Sequence, residues 1–313
     1  MRKVLLATTA LVAMGGVSAA SADISISGSA SYNYVNNSGS GGGANGPAGA
    51  EDRDMSTTID MDISASTAFD NGMTASGVIS LHEGGEDGNS GWSLSGDFGK
   101  LGFGKSANDG FGATATGLTA DEGNTFTTSA NGGIYGSVHN DYIPHSDVSI
   151  TLPAVSGFTL GLGMTDGATS AADGSQWGVT YAMDAGSMAV TVAYASASDG
   201  NNNDQSSAGV TVTAGDTKVV VATNKKTASS VTHTANSIGA SYKVSDALTV
   251  QAYSGTTEKS DDSAYEVSDT GMGLTYTVTP GLSISITNND FSGKSSAAAE
   301  SGTRTVVALD ATF

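Results

Sequence analysis

One segment of the chain matches the sequence pattern of a phosphate-binding loop. Residues 99–106 read Gly-Lys-Leu-Gly-Phe-Gly-Lys-Ser, which is a glycine, four residues and then Gly-Lys-Ser. Such a loop holds phosphate only where it joins a buried parallel strand to the N-terminus of a helix. Here residues 92–98 alternate like a half-exposed strand, and residues 107–117 are too rich in glycine and threonine to begin a helix. We therefore predict a strand, a short turn and a second strand, with no nucleotide site.

The other residues that could support catalysis or metal binding form no convincing pattern. No two histidines have the spacing of metal ligands on a helix, and no Gly-x-Ser-x-Gly nucleophile motif occurs. Carboxylates such as Asp261 and Asp262, or Asp199 and Asp204, could hold calcium, but they lack the spacing of an EF-hand loop. We expect no catalytic residues, no enzymatic activity and no cofactor, with weak calcium binding in these loops as the alternative.

The first residues have the layout of a secretory signal peptide. Arg2 and Lys3 precede an apolar stretch over residues 4–17, and small residues at 20–22 form a cleavage site before Asp23. We therefore expect residues 1–22 to be removed on export. No later stretch approaches the roughly 20 apolar residues that a spanning helix needs. A mature chain of residues 23–313 could then cross a membrane only as a closed β-barrel, which satisfies every backbone polar group.

The composition excludes several classes of protein. There is no cysteine, so disulfides and thiolate metal sites are ruled out. The 31 acidic residues outnumber the 12 basic ones, and the formal net charge of −19 argues against nucleic acid, which needs a basic surface. A disordered acidic chain is the simplest alternative. The regular alternation of apolar and polar residues along the chain argues against that alternative.

Sixteen short segments of alternating hydrophobicity recur after the signal peptide, and their connections are alternately short and long. The Asn71-Gly72 pair in the turn after the second segment is typical of a tight hairpin. Short turns at one end and longer polar loops at the other indicate a transmembrane barrel rather than a sandwich. The segments cover about residues 24–34, 59–69, 73–82, 91–97, 100–105, 148–152, 158–164, 177–183, 188–194, 208–212, 219–221, 238–242, 248–252, 272–278, 282–286 and 303–313.

The two faces of these predicted strands differ in chemistry. One face carries isoleucine, valine, leucine, methionine and aromatic residues, and the other carries serine, threonine, glycine and aspartate. Aromatic residues also stand near strand ends, as in the interfacial girdles of outer-membrane barrels. They are Tyr32, Tyr34, Phe69, Trp92, Trp177, Tyr181, Tyr194, Tyr242, Tyr276 and Phe313. We predict a sixteen-stranded antiparallel barrel in the outer membrane, whose last strand ends on Phe313 as such barrels typically do.

Three stretches carry a resemblance to a known family. Residues 69–77 resemble its second hairpin, and residues 152–160 resemble the segment that leaves its third loop. Residues 94–104, Leu-Ser-Gly-Asp-Phe-Gly-Lys-Leu-Gly-Phe-Gly, resemble its signature L-x-G-x-F-G-x-(L/I/V)-x-x-G ahead of that loop. The chain resembles the general-diffusion porins of Gram-negative bacteria, in particular those of alphaproteobacteria such as the purple photosynthetic bacteria.

The resemblance implies a homotrimer of barrels in which the third loop, about residues 106–146, folds into each lumen and narrows it. A long stretch without regular structure is usually functional, which agrees with this role. Acids on the loop would face bases on the wall. The expected acidic residues of the constriction are Asp109, Asp121, Glu122, Asp141, Asp60 and Asp62, and the expected basic wall residues are Arg53, Lys105, Lys218 and Arg304.

The sequence departs from the family at the second strand. Asp60 and Asp62 have the inward parity there, where family members often carry arginines, so we expect an acidic lumen with a scatter of cations. The resulting prediction is a water-filled channel for small hydrophilic solutes and ions, with moderate cation selectivity because acidic rings attract cations. Outer-membrane lipid and lipopolysaccharide would surround it. The alternative is an exported β-rich surface or adhesive structural protein, although no internal repeat of fixed period supports it.

Overall fold

The described part of the chain forms one closed antiparallel β-barrel. The computed structural model describes residues 23–40, 53–82, 90–104, 147–165, 173–198, 204–228, 230–294 and 299–313. Sixteen strands follow one another around the barrel in chain order, and β16 pairs with β1. The predicted number of strands and their antiparallel order are therefore confirmed. Within the described ranges, no helix has the length and apolar character to cross a membrane.

Each predicted segment corresponds to one strand, and many strands extend beyond the apolar stretch that revealed them. The strands are β1 Asp23–Ser40, β2 Arg53–Ala68, β3 Thr74–His82, β4 Gly91–Gly96, β5 Gly99–Gly104, β6 Val148–Thr151, β7 Phe158–Thr165, β8 Gly174–Ala185, β9 Met188–Ser198, β10 Asp204–Ala214, β11 Thr217–Ala228, β12 Val231–Lys243, β13 Leu248–Lys259, β14 Asp262–Thr279, β15 Leu282–Lys294 and β16 Ala299–Thr312.

The barrel closes through a long ladder between its first and last strands. β1 and β16 pair from Ser29 with Thr312 to Ser40 with Ser301. Beyond this ladder, the Gly28 amide donates to the Phe313 carbonyl at 2.8 Å, and the Phe313 amide donates to the Gly28 carbonyl at 2.9 Å. The last residue thus completes the seam. Closure matters because it alone removes the unpaired strand edges that a sheet otherwise exposes.

Alternation along each strand separates an apolar outer face from a polar inner face. The neighbours Val220 and Val221 illustrate it, since Val220 is completely buried and Val221 is 50% exposed. On β1 the exposed Ile24 and Ile26 share the outer face, while the serines between them point inward. The large exposed side chains are those expected from the sequence pattern. They form the surface that a barrel offers to lipid.

The two ends of the barrel differ, but less regularly than the sequence pattern suggests. We call the end that carries Asp23 and Phe313 the near end and the opposite one the far end. Connections at the near end are short, for example residues 215–216 and 280–281. At the far end we expected longer loops throughout, yet only two residues separate β11 from β12 and β13 from β14. Extension of these strands takes up the chain that we had assigned to loops.

Aromatic side chains on the outer face pair across strands at both ends. Near the far end the rings of Trp92 and Phe103 stack with centroids 4.2 Å apart, and those of Trp177 and Tyr194 lie 5.2 Å apart. At the near end the rings of Phe158 and Tyr181 stack at 4.4 Å. Two levels of aromatic rings match the girdles at the two interfaces of a bilayer, where each ring contacts apolar lipid on one side and water on the other.

The segment that mimics a phosphate-binding loop is a hairpin. Residues 97 and 98 form a tight turn between β4 and β5, so the predicted strand, turn and strand is confirmed up to Gly104. Gly99 has a φ of +105°, and a Cβ there would lie 2.0 Å from the Thr151 carbonyl oxygen. The glycine is therefore needed for backbone packing rather than for binding phosphate.

Two expectations concern residues outside the described ranges. The proposed signal peptide, residues 1–22, and the expected third loop, residues 106–146, both lie there. Each stays a prediction.

The seam at Gly28 yields a prediction about stability. A Cβ on Gly28 would lie 2.7 Å from the Phe313 ring and 2.8 Å from the Asp60 carbonyl oxygen. We expect Gly28→Ala to lower the free energy of unfolding by about 1–3 kcal/mol, the usual cost of overpacking. Urea unfolding of the refolded barrel measures it. The matched control is Gly77→Ala, also on the outer face, where the nearest atom would be 3.7 Å away. Equal losses in both variants would contradict the role of the seam.

Candidate functional site: the lumen wall

Strands β1 to β5 present a wall of small hydroxyl side chains to the lumen. Ser25 and Ser64 lie directly opposite each other, as do Ser66 and Ser76, and Ser76 and Ser93. Together with Asp23 at one side and Lys100 at the other, these serines line a recess of about 280 Å³. Serine fits this position because it is short, so it leaves the lumen open while offering hydrogen bonds to water.

Asp60 and Asp62 lie on the inner face of β2, as their parity indicated. The intervening Met61 and the exposed Ile59 belong to the opposite face. Asp62 is directly opposite Ser80 on β3, whose hydroxyl donates to the Asp62 Oδ1 at 2.5 Å. A hydrogen bond to a carboxylate is stronger than one between neutral groups and holds the charge in one place. This carboxylate is thus fixed on the lumen wall.

The predicted basic wall residues divide into three groups. Lys218 on β11 and Arg304 on β16 have the inward parity, since each stands next to an outer-face valine or threonine in its strand. Arg53 differs from the expectation, because it pairs with Asn36 and shares the outer parity of Met55. Its position in the chain just ahead of Asp60 and Asp62 had suggested the pore, whereas the register gives it the outer parity. Lys105 lies outside the described residues.

The predicted acids of the constriction loop cannot be placed on this wall. Asp109, Asp121, Glu122 and Asp141 all lie outside the described residues. Their role at the constriction therefore stays a prediction.

On the opposite side of the barrel the inner-wall side chains are polar, buried and larger than the serines of β1 to β5. The Tyr253 hydroxyl donates to the Asp269 carboxylate, and the Ser207 hydroxyl donates to the Asn224 side-chain oxygen. Tyr253 is 8% exposed and Asp269 2%. Buried groups of this kind stabilise a fold only when hydrogen-bonded. Further buried inner-wall residues are Gln176, Gln205, Lys226, Ser237, Thr257, Thr287 and Asn289.

Basic side chains gather in one row of this opposite wall. Gln205, Lys226, His233 and Lys259 are directly opposite one another in turn across β10, β11, β12 and β13. The Lys259 ammonium is 3.1 Å from the Asp261 carboxylate in the turn that follows β13. We call Lys226, His233 and Lys259 the basic row. β12, the middle strand of the row, is six strands from β2 by the shorter way around the barrel, so the row and the two inward aspartates lie on well-separated parts of the wall.

This arrangement adds to the expected distribution of charge. Besides the inward Asp60, Asp62, Lys218 and Arg304, the described residues place the basic row on β11 to β13, and the acidic character of the lumen stays a prediction. Strand parity carried the signal for the missed residues. Counting by twos from Lys218, opposite to the outward Val219 and Val221, reaches Val220, Ala222, Asn224 and Lys226. We had ended β11 at its last apolar residue, and so Lys226 went unnoticed.

Comparison with known proteins identifies the class of barrel. The sequence matches the family model described as Gram-negative porin over residues 7–295. The chain belongs to the Gram-negative porin family. A comparison with curated protein sequences finds no match.

Solved porin structures share the fold at low sequence identity. An anion-selective porin from Comamonas acidovorans is 14% identical, with a TM-score of 0.69 over 93% of this chain and 100% of the other. OmpT, an outer-membrane protein of Vibrio cholerae, is 14% identical, with a TM-score of 0.68 over 95% and 99%. A mutant of the Rh. blastica porin is 16% identical, with a TM-score of 0.62 over 93% and 100%.

Family and fold together establish the general role of this porin. It is an outer-membrane β-barrel channel for diffusion, and this fold belongs to channels rather than to enzymes. Among the residues that the structure describes, no group of three or more histidine, cysteine or acidic side chains could hold a metal ion. Calcium in the loops stays a prediction, and Asp261 already contacts Lys259.

The buried Tyr253–Asp269 hydrogen bond yields a second prediction. Tyr253→Phe removes the hydroxyl and leaves a buried carboxylate oxygen without this donor. We expect the free energy of unfolding to fall by about 1–3 kcal/mol, the usual cost of such a loss. Tyr276→Phe is the control, because that ring is on the outer face and 48% exposed. If denaturation in urea shows the same midpoint shift for both variants, the hydrogen bond contributes no stability.

Proposed function

We propose that this porin is a passive, water-filled channel for small hydrophilic solutes and ions with moderate cation selectivity. The observation that carries the sign of the selectivity is the pair of carboxylates, Asp60 and Asp62, on the inner face of β2. The acidic excess of the chain, with a formal net charge of −19, acts in the same direction. Fixed negative charge along a lumen raises the local concentration of cations and lowers that of anions.

The basic row opposes this selectivity and keeps it moderate. It lies on the same lumen face as the two carboxylates, so both signs of charge act on an ion in the lumen. The similar porin from Comamonas acidovorans is described as anion-selective, so the fold by itself does not favour cations. At 14% identity the selectivity does not transfer, and the side chains of this chain determine it.

Reversal potentials in a salt gradient test the selectivity. We expect a sign that favours potassium over chloride, with a larger ratio at low salt, where charges are less screened. Asp60→Asn combined with Asp62→Asn should lower the ratio severalfold while leaving a conducting channel. Asp290→Asn is the control, because this exposed carboxylate has the outer parity on β15. A chloride-favouring sign in the unmodified porin would refute the proposed selectivity, and a silent bilayer would refute the channel.

The proposal includes a constriction formed by residues 106–146. Its support is the burial of the inner wall across β11 to β15, where Asn224 and Thr257 are each 1% exposed. Inner-wall side chains along an open lumen would be accessible to water. A chain segment that covers this wall would narrow the lumen, and it would therefore set the size limit for solutes.

We further propose that the porin assembles as a homotrimer through the wall formed by its shortest strands. β4, β5 and β6 contain 6, 6 and 4 residues, whereas a strand that spans a bilayer needs about 9–11. A wall this short is better covered by another subunit than by lipid. One OmpT structure from Vibrio cholerae is described as a trimer form, which supports the same assembly. Lipid and lipopolysaccharide would then contact the remaining apolar outer face.

Gel mobility tests the trimer and the wall that forms it. Unheated porin in dodecyl sulfate should run as a trimer that converts to monomer on heating. Ile79→Ala combined with Leu81→Ala, two exposed residues of β3 beside the short wall, should lower the temperature of conversion by several degrees because apolar contact area is lost. Val221→Ala combined with Ile238→Ala truncates exposed residues of β11 and β12, far from that wall, and should leave it unchanged. A monomer band without heating would contradict the assembly.

A further inference from the structure

The outer face of six neighbouring strands changes its chemistry part-way along each strand. On β11 to β16 the outer positions towards the near end are largely apolar, and they end with exposed residues such as Val221, Ile238 and Met272. Beyond these residues every outer position carries serine, threonine, asparagine or a charged side chain. We call this surface the polar collar. It consists of the first, third and fifth residues of the ranges 223–227, 232–236, 254–258, 266–270, 288–292 and 301–305.

The register joins the collar into one continuous surface. Thr234 is directly opposite Glu258, and Glu258 is directly opposite Glu266, so outer positions of β12, β13 and β14 lie side by side. The Ser268 and Ser292 hydroxyl oxygens are 2.7 Å apart across β14 and β15. A hydroxyl can donate one hydrogen bond and accept two, so these side chains keep capacity for a further partner.

The collar is taller than the headgroup layer of a phospholipid. On β11 it extends from the last large apolar residue, Val221, to Thr227, which is six residues or about 20 Å along the strand. Strands of transmembrane barrels are tilted by about 35–45°, so this length corresponds to a height of about 15 Å. The polar region of one leaflet is only about 5–8 Å thick. The upper part of the collar therefore stands above the level of phospholipid headgroups.

The position of the collar on the barrel indicates what surrounds it. Outer-membrane barrels have short turns on the periplasmic side. The longest connections of this chain, between β1 and β2 and between β5 and β6, are at the far end, where the collar lies. The collar is therefore on the outer side of the membrane. Its strands do not include β4, β5 or β6, so it is separate from the wall that we assign to the trimer. Its lateral neighbours are the headgroups of the outer leaflet.

From this geometry we propose that the polar collar binds the saccharide headgroup of an outer-leaflet glycolipid, lipopolysaccharide. Hydroxyl and amide side chains exchange hydrogen bonds with sugar hydroxyls, and a headgroup of several sugar units has the height that a phospholipid headgroup lacks. Phosphate fits the collar less well, because Lys225 is outnumbered by Glu258, Glu266 and Asp290. The proposal deepens the contact with lipopolysaccharide proposed above and rests on it.

The test is the thermal unfolding of the refolded porin, followed by circular dichroism, with and without added glycolipid. A ligand that binds only the folded barrel raises the unfolding temperature. We expect lipopolysaccharide with its complete saccharide to raise it by several degrees. Truncated lipopolysaccharide, which keeps the acyl chains and phosphates but lacks the core sugars, should have less than half this effect. Thr234→Val combined with Thr256→Val and Thr270→Val should remove most of the difference between the two glycolipids, because valine keeps the shape of threonine without its hydroxyl.

Thr180→Val combined with Thr191→Val and Thr211→Val is the matched control, because these threonines are on the inner face of β8, β9 and β10. It should keep the full difference between the glycolipids. Equal stabilisation of the unmodified porin by both glycolipids overturns the proposal, and so does a collar variant that keeps the difference. An equal loss in the two triple variants assigns the effect to the barrel as a whole and overturns it as well. Conductance and gel mobility, recorded for every variant, separate failure of the channel or the trimer from failure of the collar.

Discussion

Every other feature of this barrel depends on the pairing of its last strand with its first. A bilayer offers no water to the backbone, so each amide and carbonyl at that depth must find a partner within the sheet. The ladder between β1 and β16 provides these partners along twelve residue pairs, and Gly28 and Phe313 extend it to the final residue. Once the sheet is closed, each strand has an inside and an outside, and alternation assigns every side chain to one of them.

That assignment explains why the fold could be read from the sequence and the site only in part. A large apolar residue such as Ile238 or Met272 indicates the outer face of its strand, and sixteen runs of such residues predict sixteen strands. Inner positions follow by parity: Asp60, Asp62, Lys218 and Arg304 alternate with the outer-face residues of β2, β11 and β16, and their role in the pore stays a prediction. Parity also holds beyond the apolar stretches, but we had not applied it there. Arg53 and Lys226 both lie beyond the apolar stretches, and one was assigned to the pore wrongly while the other was overlooked.

The sequence pattern also does not predict the height of a residue along the barrel axis. Loops and strands have similar polar compositions at the far end, so nothing in residues 223–236 showed that β11 and β12 continue to a two-residue connection. The hydrogen bond from Tyr253 to Asp269 was equally hidden, because the two residues lie on different strands and are not directly opposite. Such contacts depend on the register between strands, which closure and turn length determine together.

The placement of charge around the lumen follows from the same geometry. Charges cannot leave the lumen face in mid-strand, since the outer face would cost them about 2–4 kcal/mol at the centre of the bilayer. They can, however, be distributed around the circumference at no such cost. Asp60 and Asp62 on β2 and the basic row on β11 to β13 lie on different parts of the circumference, whereas the inward Arg304 on β16 is two strands from β2. Both signs of charge are therefore distributed around the same lumen face, and strand parity, rather than the sign of the charge, determines which side chains line it.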